Sequence, residues 1–118
     1  MKKLLLASAA IAGLTATAQA ASHANEVKIG IILGFTGPIE SLTPAMAAGA
    51  EMAKSEVTES GKLMDGATVT PVRADSTCVD SGAATAAAER LITSEGVKGI
   101  MGADCSGVTG AVLTNVAV

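Results

Sequence analysis

Tryptophan and tyrosine are absent from the 118-residue sequence, and Phe35 is its only phenylalanine. Large rings supply much of the buried area in most cores, so this chain must build its interior from Ile, Val, Leu, Met and closely approaching Ala. Histidine is almost missing too, with His23 standing alone near the start. That removes a Ser-His-Asp set and leaves no visible cluster of metal ligands. Asp65, Asp75, Asp80 and Asp104 include no convincing acid/base pair, so an enzyme reading has little support. A net charge of −3 without any basic cluster argues against nucleic acid and anionic membrane surfaces. No second apolar run of about twenty residues follows the first, so no membrane span is expected in the mature chain.

What is present begins with an export pattern. Lys2 and Lys3 precede an uncharged apolar run from Leu4 to Ala16, and Ala18-Gln19-Ala20 supplies a small-x-small cleavage site. Residues 1–20 are therefore expected to be a signal peptide cut after Ala20, with Ala18 as a minor alternative. No cysteine follows the run, so no lipid anchor is expected. The address implied is a periplasm, with the mature protein soluble there. Residues 21–26 read as a polar lead-in, and 27–118 as one incomplete domain. Val116-Ala117-Val118 ends without a polar tail or helix stop, as a truncated chain would.

Val27 to Leu33 is a nearly continuous β-branched run, the pattern of a strand buried on both faces. After a loop with Gly37-Pro38, Thr43 is expected to cap a helix that has Pro44 at its first position. Met46, Gly49, Ala53 and Val57 would form its inner face, with Gly61 as the stop. Thr68 to Ala74 reads as a second strand, placed at a sheet edge because Pro71 cannot donate to a ladder. Asp80 would cap a second helix, with Ala84, Ala87, Ala88, Leu91 and Ile92 inward and Gly96 ending it. Val97 to Met101 is a third strand, Gly102 to Gly107 a tight loop, and Val108 to about Val116 a third helix. This βαβαβα order calls for an α/β fold with a parallel, doubly wound sheet in the order 2-1-3. Ligands in such sheets bind beyond the strands' carboxyl ends at the switch point, between strands one and three here.

Two features could carry function there. Cys78 and Cys105 are the only cysteines, and an even count in an oxidising compartment favours a disulfide. They follow strands two and three, so the loop after strand two must cross strand one's end. The bridge would close about 28 residues, worth on the order of 3–4 kcal/mol. The second feature is Gly102-Ala103-Asp104-Cys105-Ser106-Gly107-Val108-Thr109-Gly110, a glycine- and hydroxyl-rich strand-to-helix junction. Free backbone N–H groups at such a place favour a carboxylate or phosphate, and Ser106 could add a donor. Alternatively, Ser106 merely caps the helix in a tight turn. The spacing fits neither a P-loop nor a dinucleotide fingerprint, and no cofactor is implied. Gly34 to Pro38 forms the facing wall, with Phe35 read as core more than as ligand contact.

Three stretches in this order resemble the periplasmic branched-chain amino-acid-binding proteins, the leucine/isoleucine/valine-type receptors of ABC importers. They are Ile31-Ile32-Leu33-Gly34-Phe35-Thr36-Gly37-Pro38, Asp75-Ser76-Thr77-Cys78, and Ile100-Met101-Gly102-Ala103-Asp104-Cys105-Ser106. The resemblance implies the first half of an N-terminal lobe in a two-lobed receptor that closes on its ligand. It also implies a Cys78–Cys105 disulfide and a role for Ser106 in holding a ligand carboxylate. Asp104, Gly107, Thr36 and Leu42 complete the candidate ligand-binding set. Leu42 falls where the family often carries an aromatic, so a leucine-type ligand is only one option beside amides and aromatic acids. The expected partners are a small amino acid or related carboxylate and a membrane permease; the alternative is a ligand-sensing module of a signalling receptor.

Overall fold

The computed structural model describes residues 25–117. The expected signal peptide and the first four lead-in residues lie outside them. Three strands and three helices alternate: β1 (Glu26–Leu33), α1 (Thr43–Ser60), β2 (Thr68–Asp75), α2 (Ser81–Thr93), β3 (Gly99–Met101) and α3 (Ser106–Val112). A π-helical turn, Leu113–Ala117, continues α3.

The sheet is parallel with the order β2-β1-β3, as the alternating pattern and Pro71 require. Leu33 lies opposite Asp75, and Ile31 opposite Met101. Successive β1 side chains point to opposite faces, so one strand feeds two cores. Ile32 packs with Ala74, Ala88, Leu91 and Val97 on the α2 face. Ile31 and Leu33 pack with Ala47 on the α1 face. Alanines on both helices let the backbones approach closely, which compensates for the scarcity of large rings.

The start of α1 differs from expectation. Thr43 is the first helical residue and not the cap; Leu42 occupies the cap position and makes no side-chain capping bond. The buried Thr43 hydroxyl donates instead to the carbonyls of Gly34, at 3.2 Å, and Glu40, at 3.3 Å. This anchorage sets the rotation of the helix. Thr43, Ala47 and Ala50 face the sheet, while the expected inner residues Met46, Gly49, Ala53 and Val57 are exposed. Bulk alone did not choose the face; a buried hydroxyl needing a carbonyl did.

Asp80 caps α2 as expected, accepting a hydrogen bond from the Ala83 amide at 3.0 Å. Ala84, Ala88 and Leu91 are buried, but Ile92 faces outward. The helix ends at Thr93, before Gly96, whose φ of +68° turns the chain so that the Val97 amide reaches back to Leu91. The third strand is shorter than expected, although buried Val97 and the bond from the Lys98 amide to the Lys28 carbonyl lead into it. The third helix begins at Ser106, two residues earlier than expected.

Candidate functional site

All three strands run the same way, so the segments leaving Leu33, Asp75 and Met101 gather at one end of the sheet. A disulfide joins Cys78 to Cys105 there, with the two Cα atoms 5.2 Å apart. It links the loops that follow the two outer strands, across the end of central β1. Gly34 makes room for this crossing: a Cβ at that position would lie 3.1 Å from the Cys78 Cβ and 3.3 Å from Ile39 Cγ1.

Two carboxylates hold the loop that leaves β1. From the end of β2, Asp75 accepts the Thr36 hydroxyl at 2.5 Å and the Thr36 amide at 3.3 Å. It also accepts the Thr77 amide at 2.8 Å. From the loop after β3, Asp104 accepts the Gly34 amide at 2.9 Å and the hydroxyl of buried Ser76 at 3.4 Å. Partial burial would raise the Asp75 pKa, but the Thr36 hydroxyl and the surrounding amides outweigh it and hold the carboxyl below its ordinary value.

Ser106 and Gly107, both exposed, open α3 directly after Cys105 of the disulfide. Cys105, and not Ser106, stands at the cap position, and no side chain caps the helix. The Ser106 hydroxyl has no partner among the described residues, whereas Thr109 donates back to the Ala103 and Cys105 carbonyls. Leu42 is exposed at the start of α1. The structure thus collects Thr36, Leu42, Asp104, Ser106 and Gly107 at the same end of the sheet, with Asp104 turned onto the Gly34 amide and Ser76. Phe35 belongs to the core as expected, half-buried against the α1-face cluster. Arg73 lies 5.5 Å from its ring centroid and pairs with Glu51 through two bonds of 2.6 and 2.8 Å.

Sequence reasoning missed the part played by Asp75 and Ser76. Their signal was an acidic residue followed by a small hydroxyl at the last position of an edge strand, where such groups can serve a neighbouring loop. A hollow of about 470 Å³ lies elsewhere, along β3 and α3, with Ile100, Ala103, Val112 and Val116 among its lining residues. No helix among the described residues is long and apolar enough to cross a membrane.

Comparison with known proteins places this geometry. Residues 26–118 match the family model described as periplasmic binding protein. The Leu/Ile/Val-binding protein homolog 7 of Brucella abortus is 37% identical over 107 residues, covering 91% of this chain and 25% of that protein. The chain therefore spans about a quarter of the length of the curated relatives it matches. The branched-chain amino acid substrate-binding protein LivJ of Streptococcus pneumoniae, solved with isoleucine, is 26% identical with a TM-score of 0.69, covering 78% of this chain and 26% of that one. A Rhodopseudomonas palustris solute-binding protein in complex with benzoate is 28% identical with a TM-score of 0.63, covering 75% and 24%. These relatives are binding proteins and not enzymes, and three parallel strands in the 2-1-3 order are what the fold of the family requires. By its match over 26–118 and its identity to these relatives, the chain belongs to the periplasmic binding protein family.

Proposed function

We propose that this chain forms the first part of the ligand-gripping lobe of an extracytoplasmic solute-binding protein. It captures a branched-chain amino acid or a related amide or small carboxylate and delivers it to the permease of an ABC importer. The observation that carries this reading is the Ser106 hydroxyl, without a partner among the described residues, beside Gly107 at a helix start on the switch point between β1 and β3. A hydroxyl and backbone N–H groups so placed suit a carboxylate oxygen. Isoleucine and benzoate, the ligands in two related structures, share that group and differ elsewhere. Thr36 and Leu42 form the opposite wall of the mouth. Asp104 supports this wall through its bonds to Gly34 and Ser76. Export by residues 1–20, with cleavage after Ala20 and no lipid anchor, completes the reading.

Thermal shift and calorimetry of the full chain as the cell makes it, against leucine, isoleucine, valine, their amides and benzoate, test it. At least one ligand should raise the melting temperature in proportion to the logarithm of its concentration. Ser106→Ala should weaken that ligand roughly tenfold while leaving the fold intact. No shift across the whole panel would overturn the binding reading, and unchanged affinity in the variant would remove Ser106 from the site.

A further inference from the structure

We infer that Asp75 is a positioning residue for the ligand mouth: its carboxylate holds the loop after β1, through Thr36, in its binding shape before ligand arrives. The inference rests on the binding reading above. Its geometric basis is separate from Ser106. Asp75 ends β2 directly opposite Leu33, the last residue of β1, so its side chain can reach the loop that begins one residue later. One oxygen receives the amides of Thr36 and Thr77, and the other receives the Thr36 hydroxyl. Two loops from different strands are thus tied to a single group.

The loop is held further along by the same segment after β2. Gly37, with φ of +98°, lies against Thr77, and a Cβ there would stand 2.5 Å from the Thr77 carbonyl oxygen. On the far flank, Asp104 takes the Gly34 amide. The loop's own amides at positions 34 and 36 are therefore occupied by carboxylates within the protein. They are unavailable to an anionic ligand, which leaves the Ser106 side of the mouth to receive it. A loop fixed in this way loses little freedom on binding, and affinity benefits from the preorganisation.

Three variants of the full chain test the role: Asp75→Ala, Asp75→Asn and Thr36→Val. Asparagine retains an oxygen for the two amides and an amide group that the Thr36 hydroxyl can accept from, so it is the conservative rescue. Each variant is titrated with whichever panel ligand binds the wild type, and amide exchange is followed by NMR. Asp75→Ala is expected to weaken the ligand about tenfold or more, and Thr36→Val about threefold to fivefold. Asp75→Asn should recover most of the loss. The amides of Thr36 and Thr77 should exchange at least about tenfold faster in Asp75→Ala, with Ile31 and Ile32 in β1 unchanged. A purely structural role would leave the affinity intact while lowering the melting temperature, and that result overturns the inference. Unchanged exchange at Thr36 overturns it too. Should Asp75→Ala fail to fold, Thr36→Val carries the decision: full affinity in that variant sinks the role. A wild type that binds nothing in the panel sinks the binding reading and this role with it, whereas equal binding by the wild type and Asp75→Ala sinks the role alone.

Discussion

Cys78 lies directly over Gly34, so close that a Cβ on the glycine would stand 3.1 Å from the cysteine's own Cβ. The contact explains how cysteines from two strands that are not neighbours can meet: the chain after β2 passes over the end of β1 on its way to Cys105. The bridge spans 27 residues of sequence, and closing a loop of that size stabilises the folded state by about 3–4 kcal/mol in the chain-entropy account. Replacing both cysteines with serine should therefore lower the urea midpoint substantially. The measurement is urea unfolding of the wild type under oxidising and reducing conditions beside the double variant. Reduced wild type and double variant should coincide, and an unchanged midpoint would show that the crossing holds without the bridge.

Gly37 is the position in the loop after β1 that tolerates substitution least. Its φ of +98° lies outside the regions open to residues with a Cβ, and the Thr77 carbonyl oxygen would be only 2.5 Å from an added Cβ. Backbone cannot yield as a flexible side chain would. Gly37→Ala is expected to cost about 2 kcal/mol or more, through strain and the separation of the two loops. Gly49→Ala, on an exposed helix face with open space around it, serves as the control and should be neutral or slightly stabilising. Equal melting temperatures for Gly37→Ala and the wild type would refute the crowding.

The sheet order was legible because two local facts set it. Pro71 confined its strand to an edge, and the alternation of strand and helix patterns demanded parallel crossovers. The cap at Asp80 was equally plain, since it needs only residues three apart. The rotation of α1 was hidden for the opposite reason. Thr43 chose its burial through the Gly34 carbonyl, nine residues away, and that bond outweighed the bulk of Met46 and Val57. The carboxylate ties were hidden too, because Asp75 and Thr36 are 39 residues apart and meet only once β1 and β2 pair. Among the residues proposed for the mouth, Ser106 was readable as part of a strand-to-helix junction, but its freedom from capping required the helix to start at Ser106 itself.

Lys54 offers a stabilising substitution. Its Nζ is buried without a hydrogen-bond partner among the described residues, beside Ala50, Ala53, Val57, Val69 and Met101. Burial lowers the amine's pKa, and the nearby Glu51 offsets that only in part. Lys54→Met keeps the length of the side chain and removes the unsatisfied group, so it should stabilise the fold by ~1 kcal/mol at neutral pH. Because the amine loses its proton more readily in the folded chain, the wild type gains stability as pH rises through the folded value towards 10.5. The advantage of the variant should therefore shrink in alkaline solution. Urea midpoints at pH 7 and pH 10 measure both effects, and a variant less stable than the wild type at pH 7 would show that the amine finds a partner.

Asp75 should leave a signature at acid pH. Its carboxyl is held below its ordinary value by the Thr36 hydroxyl and the amides around it, against the raising effect of partial burial. The folded chain therefore binds this proton less readily than the unfolded chain, and the associated stability is complete above the unfolded value near 4. It is lost progressively below that value, as pH falls through the lower folded one. The contribution of Asp75 to the melting temperature should accordingly be flat from pH 8 to pH 5 and decline below about 4. Asp75→Asn, which cannot titrate, should lower the melting temperature at pH 7 and converge with the wild type as the pH approaches 2. Thr36→Val should show a reduced form of the same convergence, since it removes one of the donors that depress the pKa. A constant gap between wild type and Asp75→Asn across the whole range would mean that ionisation of the Asp75 carboxyl adds nothing to stability beyond the hydrogen bonds that asparagine also makes.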